Sequence, residues 1–199
     1  MERARGHRAL RYLALGDSYT IGTGASDESH AWPSIIASRL GAELTNPAVN
    51  GYTTLDLIRK ELHYLEHVKP DLVSILIGVN DLVQGRSAEQ YRDSLTEIYD
   101  AVEAANPVRV AAVSIPTWSY VPAAADFGGA QHVDKLTCLF NDVARGEASA
   151  RRFTWIDIGL VSASRAGSPG WIAADQLHPS DDQYAAWAEA IWPAIRGLA

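Results

Sequence analysis

An apolar run near the beginning of the chain leads directly into a glycine-containing loop: Tyr12-Leu13-Ala14-Leu15-Gly16-Asp17-Ser18-Tyr19-Thr20-Ile21-Gly22. The apolar part is typical of a short buried strand. A glycine permits backbone dihedral angles that other residues avoid, so this loop can hold a side chain at the exposed end of the strand. Ser18 is therefore a candidate nucleophile, although its hydroxyl needs a base that accepts its proton.

Strand-like and helix-like segments alternate along the rest of the chain. The clearest buried strand is 72–77, and further runs predict strands over 42–49, 108–115 and 153–158. Capping residues and apolar spacings predict helices over 32–40, after Thr53 or Thr54, after Ser87, over 133–143 and around Tyr184 to Ile195. This alternation predicts an α/β fold with a parallel sheet covered on both faces. Because no linker-like stretch divides the 199 residues, we expect one domain spanning 1–199.

Helical spacing also predicts which side chains are buried. In the helix after Thr53, the predicted buried face repeats at steps of three and four: Leu55, Ile58, Leu62 and Leu65. Cys138 lies within 133–143, where we expect a small buried apolar residue rather than a nucleophile. It is the chain's one cysteine, so no internal disulfide can form.

The positions that follow the predicted strands carry the chemistry. In an open parallel sheet, the ligand crevice lies outside the carboxyl ends of the strands. Ser18, Gly51 and Asn80 follow the first, second and third predicted strands, and His178 lies some way past the fifth. The topology therefore predicts that these four positions share one rim of the sheet.

An acid three residues before a histidine suggests how Ser18 could be activated. In a turn, Asp175 could accept a hydrogen bond from Nδ1 of His178, which would leave Nε2 free to deprotonate Ser18. A tetrahedral intermediate would also need hydrogen-bond donors. The candidates are the backbone N–H groups of Ser18 and Gly51 and the side-chain amide of Asn80.

Four sequence blocks resemble the SGNH family of GDSL-type esterases and lipases: Gly16-Asp17-Ser18 with Gly22, Gly51 with Thr53-Thr54, Gly78-Val79-Asn80-Asp81, and Asp175-Gln176-Leu177-His178-Pro179. Their order and spacing match over nearly the whole chain. The resemblance implies a flavodoxin-like three-layer α/β/α sandwich with a five-stranded parallel sheet. It also implies ester hydrolysis through an acyl-serine intermediate, without a metal or cofactor. Because the short chain leaves little room for a lid domain, we expect small to medium acyl esters as substrates.

By position, the resemblance implies a catalytic triad of Ser18, Asp175 and His178. It assigns the oxyanion hole to Ser18, Gly51 and Asn80.

Each of these residues also has a structural interpretation. Ser18 could satisfy backbone groups of its loop, and Gly51 could serve only its turn. Asn80 could cap the helix after Asp81, and His178 could be an ordinary loop histidine. Asp157 competes with Asp175 as the acid, although the three-residue spacing favours Asp175. We expect Asp17 and Asp81 to brace their loops through hydrogen bonds.

Aromatic residues in the late loops and two helical histidines complete the candidate functional residues. Trp118, Tyr120 and Trp171 are candidate substrate-binding residues, with packing as satellite core the alternative. His63 and His67 have a spacing that can bind a metal. Tyr64, however, occupies the position where a zinc protease needs glutamate, so we expect solvated surface histidines.

The overall charge limits the possible partners. A net charge of -7 argues against nucleic acid and anionic membranes. No run approaches the length of a transmembrane helix, and the basic stretch 1–11 lacks the apolar segment of a signal peptide. We therefore expect a cytoplasmic protein whose partner is a small acyl ester.

Two other functions remain open at this point. An acyltransferase would use the same residues and would differ only in what excludes water. A non-catalytic module could cradle a phosphate in the first loop. That loop lacks the P-loop lysine, and Asp17 would repel the anion.

Overall fold

Five strands form the centre of the computed structural model, which describes residues 8–198. Residues 1–7, with most of the basic N-terminal stretch, lie outside the described residues, as does Ala199. The strands are β1 (Arg11–Gly16), β2 (Glu43–Thr45), β3 (Leu72–Leu76), β4 (Arg109–Val113) and β5 (Thr154–Ile156).

All the pairings within this sheet are parallel, and the strand order is β2-β1-β3-β4-β5. Leu13 of β1, for example, lies opposite Thr45 of β2 on one side and Val73 of β3 on the other. This is the flavodoxin-like strand order. The predicted fold class is therefore confirmed.

The helices pack in two groups, one on each face of the sheet. They are α1 (Ser18–Ile21), α2 (Trp32–Leu40), α3 (Thr54–Lys60), α4 (Tyr64–Val68), α5 (Val79–Val83), α6 (Ala88–Ala105), α7 (Ala130–Ala150), α8 (Gly159–Ala163) and α9 (Asp181–Ile195). Helices α2 and α8 contact α9, whereas α3, α4 and α7 contact α6. This division is what right-handed crossovers produce when the chain first moves to one side of β1 and then to the other.

The core lies between the sheet and these helices. Every residue of β3 is buried, and the stripe predicted for the helix after Ser87 is buried as well: Tyr91, Leu95, Ile98 and Val102. Fully burying one such leucine or isoleucine side chain contributes about 1.5–3 kcal/mol to stability. Within 8–198, no helix combines the length and apolar character needed to cross a membrane.

The stripe predicted after Thr53 is confirmed at Leu65 and is wrong at Leu55, while Ile58 and Leu62 lie half-buried against the core. The segment forms two helices, α3 and α4, and Leu55 is 38% exposed while Leu57 is fully buried. Thr53 caps α3 in a capping box with Asp56, which fixes where the helix begins. The buried side is Thr54, Leu57, Glu61 and Leu65, so an acidic residue takes the place of a core leucine.

The expectation for Cys138 is also wrong, because its side chain is exposed. The helix that carries it is longer than predicted, and its buried face passes through Val133, Thr137 and Phe140. Cys138 follows Thr137 and therefore lies on the next face, toward solvent.

Candidate active site

The residues singled out in the four sequence blocks gather near the carboxyl ends of β1 and β3. Ser18 follows β1 and begins α1, and Asn80 lies in the first turn of α5 after β3. The two strands are neighbours, and the chain proceeds to one side of β1 and to the other side of β3. Such a reversal of strand order is where open α/β sheets hold their ligands.

The backbone around Ser18 is fixed by its neighbours. A Cβ atom added to Gly16 would lie 2.3 Å from the carbonyl oxygen of Leu76, so this strand end requires glycine. Asp17 caps α1 by accepting a hydrogen bond from the backbone N–H of Tyr19 at 3.0 Å. The predicted role of Asp17 in bracing the loop is confirmed.

The hydroxyl and the backbone N–H of Ser18 are free to meet a ligand. The residue is 7% exposed, so a small part of it reaches the surface. Within residues 8–198, neither its hydroxyl nor its backbone N–H forms a hydrogen bond. The alternative in which Ser18 satisfies its own loop therefore has no support in the contacts.

Gly51 lies in an exposed turn between β2 and α3, with a φ angle of +80° that favours glycine. Its backbone N–H has no hydrogen-bond partner among the described residues. The hydroxyl of Thr23 donates a hydrogen bond to Oδ1 of Asn50. This bond ties the first loop to the residue that precedes Gly51.

Asn80 connects the two loops from the other side. Its Nδ2 donates a hydrogen bond to the carbonyl oxygen of Tyr52 at 2.9 Å and lies 3.5 Å from Oδ2 of Asp17. Gly78, not Asn80, is the N-cap of α5, so the capping alternative for Asn80 is wrong. Asn80 thus lies between the residue before Ser18 and the residue after Gly51.

Asp175 and His178 form a compact turn. Oδ2 of Asp175 lies 2.6 Å from Nδ1 of His178, and Oδ1 accepts the backbone N–H groups of Leu177 and His178, both at 3.0 Å. Partial burial alone would raise the pKa of Asp175, but the hydrogen bonds from His178 and Leu177 outweigh it and hold the pKa below its ordinary value. The carboxylate is therefore available to fix the imidazole.

The turn that carries His178 packs against the loop of Ser18. The ring of His178 meets the ring of Tyr19 edge-on, with 5.9 Å between centroids. A Cβ atom at Gly24, where φ is +95°, would lie 3.0 Å from Cβ of His178 and 2.5 Å from the carbonyl oxygen of Pro179. His178 does not form a hydrogen bond with Ser18 within the described residues, and such bonds often tighten only when substrate is bound.

Asp157 is not placed to orient His178. Its Oδ1 accepts the backbone N–H of Gly159 at 2.7 Å and lies 3.4 Å from the hydroxyl of Ser114. The acid that lies within hydrogen-bond distance of Nδ1 is Asp175, as the three-residue spacing predicts.

Two buried carboxyl groups lie behind the rim. Burial raises the pKa of Asp17 to about 7, although the hydrogen bond from Tyr19 opposes the shift. Burial also raises the pKa of Asp81, against hydrogen bonds from Thr54 and the charge of Arg86. Asp81 accepts the Thr54 hydroxyl at 2.6 Å and Nη1 of Arg86 at 2.9 Å, so its predicted bracing role is confirmed.

The three candidate aromatic residues differ in their surroundings. Trp118 is 3% exposed and its ring N–H donates to the hydroxyl of Thr137 at 3.1 Å, which favours packing. Tyr120 and Trp171 line a cavity of about 340 Å³, and Gln176 of the His178 turn lines it too. A cavity of about 790 Å³ lies at the amino ends of the strands, beside Arg11 at the start of β1 and therefore at the end of that strand away from Ser18.

His63 and His67 are exposed, as predicted. Their rings are 5.6 Å apart between centroids, and Nδ1 of His67 lies 2.7 Å from the carbonyl oxygen of His63.

Sequence reasoning missed Glu61, which is fully buried and accepts the backbone N–H of Gly16 at 3.0 Å. The available signal was its position four residues from Leu57 and four from Leu65, on one helical face. An acid on an apolar stripe is a reason to look for a polar partner inside the protein.

Comparison with known proteins identifies the family of the chain. The model of the GDSL-like Lipase/Acylhydrolase family matches residues 14–186. Esterase TesA of Pseudomonas aeruginosa is 24% identical over 196 residues, which cover 96% of this chain and 90% of that protein. A lipase of Streptomyces rimosus is 27% identical over 205 residues, which cover 84% of this chain and 70% of that protein.

Solved structures show the same architecture. The crystal structure of TesA aligns with a TM-score of 0.76 and 22% identity, over 95% of this chain and 99% of that chain. The family match spans both the loop of Ser18 and the turn of His178. The chain therefore belongs to the GDSL-like lipase/acylhydrolase family and is a hydrolase of that type.

Proposed function

We propose that the protein hydrolyses small to medium carboxylic esters through an acyl-serine intermediate on Ser18. The observation that carries this proposal is the packing of the Asp175–His178 turn against the loop of Ser18. In that arrangement Asp175 accepts a hydrogen bond from Nδ1–H and leaves Nε2 of His178 as the base.

The first half of the reaction forms the acyl-enzyme. The Ser18 oxygen attacks the carbonyl carbon of the ester while its proton passes to Nε2 of His178. The oxyanion receives hydrogen bonds from the N–H groups of Ser18 and Gly51 and from Nδ2 of Asn80. When the intermediate collapses, the bond to the alcohol oxygen breaks, and the alcohol takes the proton from His178.

The second half reverses these roles with water. His178 takes a proton from a water molecule, whose oxygen attacks the acyl carbon. Collapse of the second intermediate breaks the bond to Ser18, returns the proton to the serine oxygen and releases the carboxylic acid.

The size of a cavity that the His178 turn helps to line supports a substrate of modest length. The cavity beside Tyr120 and Trp171 measures about 340 Å³ and includes Gln176, two residues before His178. This is near the lower end of the ~300–1,000 Å³ found for small-molecule sites. We therefore expect short acyl esters to react faster than long-chain esters.

The test compares hydrolysis of p-nitrophenyl acetate and butyrate by wild type, Ser18→Ala and Ser149→Ala. Ser149 lies exposed in α7 and serves as the matched control. We expect Ser149→Ala to retain wild-type rates and Ser18→Ala to lose activity by several orders of magnitude. Equal rates for all three proteins would remove Ser18 as the nucleophile. Adding competing alcohols and analysing the products separates acyl transfer from hydrolysis.

A further inference from the structure

Glu61 ties helix α3 to the strand end that carries the nucleophile. It follows α3 directly, is fully buried, and accepts the backbone N–H of Gly16 through Oε2 at 3.0 Å. Gly16 is the last residue of β1, two positions before Ser18. The contact therefore reaches across 45 positions of sequence to the base of the candidate catalytic loop.

The other carboxyl oxygen of Glu61 has no comparable contact. Oε1 is buried and has no hydrogen-bond partner within residues 8–198. Lys60, the adjacent residue in the sequence, pairs with Asp56 at 2.9 Å, and Arg86, which contacts Thr54 of α3, pairs with Asp81 at 2.9 Å. A buried ionised carboxylate without a cation is costly, whereas a protonated carboxyl is much less so.

The charged groups that face Glu61 are both negative. Asp17 approaches from the loop after β1, and Asp56 lies on α3 itself. On the neighbouring helix α6, the charged side chains are exposed. The titratable side chains Glu66 and His67 of α4 are exposed as well.

These surroundings favour the neutral form of the side chain. Burial raises the pKa of Glu61 to about 8, the hydrogen bond from Gly16 opposes the shift, and the charges of Asp17 and Asp56 add to it.

We infer that Glu61 is a positioning residue for Ser18, whose neutral carboxyl holds Gly16 in place and releases it when the proton is lost. This inference rests on the proposed function of Ser18. The hydrogen bond from Gly16 favours an ionised Glu61, but burial and the charge of Asp17 outweigh this single bond. An ionised Glu61 is therefore stabilised only if water reaches it, which requires the end of α3 to move away from β1. Gly16 would then lose its acceptor and Ser18 would shift, and a displacement of about 1 Å at a catalytic group can reduce the rate about 10²-fold.

The test is the alkaline part of the pH profile of kcat/KM for p-nitrophenyl acetate. Glu61→Gln keeps an oxygen that can accept the Gly16 N–H but cannot ionise, and Glu66→Gln on the exposed face of α4 is the matched control. The rate with Ser18→Ala is subtracted at each pH.

We expect wild type and Glu66→Gln to lose activity above about pH 8, by about tenfold for each pH unit. We expect Glu61→Gln to retain its activity over the same range. A Glu61→Gln profile with the same alkaline loss as wild type, in a protein whose circular dichroism is unchanged, would overturn the inference.

A second measurement on the wild-type protein covers the case in which Glu61→Gln does not fold. In protein labelled with ¹³C-glutamate and ¹⁵N-glycine, one glutamate carboxyl should titrate well above the exposed glutamates, and the Gly16 amide resonance should move with it. A Gly16 amide that is insensitive to that titration, or glutamates that all titrate in the acid range, would contradict the inference. If the wild-type protein shows no esterase activity, the proposed function is wrong. The resonance titration does not depend on turnover, so it still tests the role of Glu61 separately.

Discussion

The side-chain amide of Asn80 donates a hydrogen bond to the carbonyl oxygen of Tyr52 at 2.9 Å. This bond spans 28 positions and joins the first turn of α5 to the residue after Gly51. Only one of the two N–H groups on Nδ2 is used well, because the other neighbour, Oδ2 of Asp17, lies 3.5 Å away. Asn80 is thereby oriented by the protein while one of its donors remains available.

We expect Asn80→Ala to lower kcat by about 10²–10³, since that is the usual cost of losing one oxyanion donor. The loss should appear mainly in kcat and much less in KM, because the donor acts on charge that develops in the transition state. Asn141→Ala provides the contrast. Asn141 holds both backbone groups of Ile115, so its loss should lower the melting temperature and spare kcat. An Asn80→Ala enzyme with wild-type kcat would exclude the oxyanion role.

Asp175→Asn should reduce kcat/KM by roughly 10²–10⁴, because an amide at this position no longer fixes the required tautomer of His178. The wild-type pKa of Asp175 lies below its ordinary value, because its hydrogen bonds from His178 and Leu177 outweigh the opposing effect of partial burial. Steady-state rates of wild type and variant at one pH check the expected reduction, and an Asp175→Asn enzyme with wild-type kcat/KM would exclude Asp175 as the acid that orients His178.

The raised pKa of Asp17 has a consequence for stability. The value of about 7 in the folded protein lies above that of an unfolded aspartate, so the stabilising contribution is complete below about pH 4 and is lost as the pH rises through about 7. Asp17→Asn removes this ionisation, and its oxygen can still cap α1. Relative to wild type, the variant should gain on the order of 1–4 kcal/mol in the free energy of unfolding between about pH 4 and 8. Urea unfolding at both pH values measures the gain.

The control for that comparison is Asp93→Asn on the exposed face of α6. For each variant, the free energy of unfolding is compared with that of wild type at both pH values. If the difference for Asp17→Asn is as independent of pH as the difference for Asp93→Asn, Asp17 is ionised at neutral pH in the folded protein. Glu61 faces Asp17, so the two carboxyl groups titrate as a coupled pair and share the total effect.

Local chemistry and topology were enough to predict the strand-end positions of Ser18 and Asn80 and the turn of Asp175 and His178. Each follows from a strand, a turn or a short spacing that the chain displays within a few residues. The burial of Glu61 could not be predicted in this way, because its partner is the backbone of Gly16, 45 positions away. The exposure of Leu55 was missed for another reason. Leucines and isoleucines at steps of three and four fit the helical period whichever of two adjoining faces turns inward.

Gly24 offers a test of how the two halves of the site meet. Its φ angle is +95°, and a Cβ atom there would lie 2.5 Å from the carbonyl oxygen of Pro179 and 3.0 Å from Cβ of His178. Because backbone must move to relieve such contacts, Gly24→Ala should displace the His178 turn and lower kcat/KM by about 10²-fold. Gly41→Ala is the control, since its φ angle is +60° but no atom lies within 4 Å of the added Cβ. Backbone strain alone should lower the free energy of unfolding of Gly41→Ala by about 1 kcal/mol, and this variant should keep the wild-type kcat/KM. If both variants lose stability equally and both keep wild-type kcat/KM, the contact between Gly24 and the His178 turn does not position the imidazole.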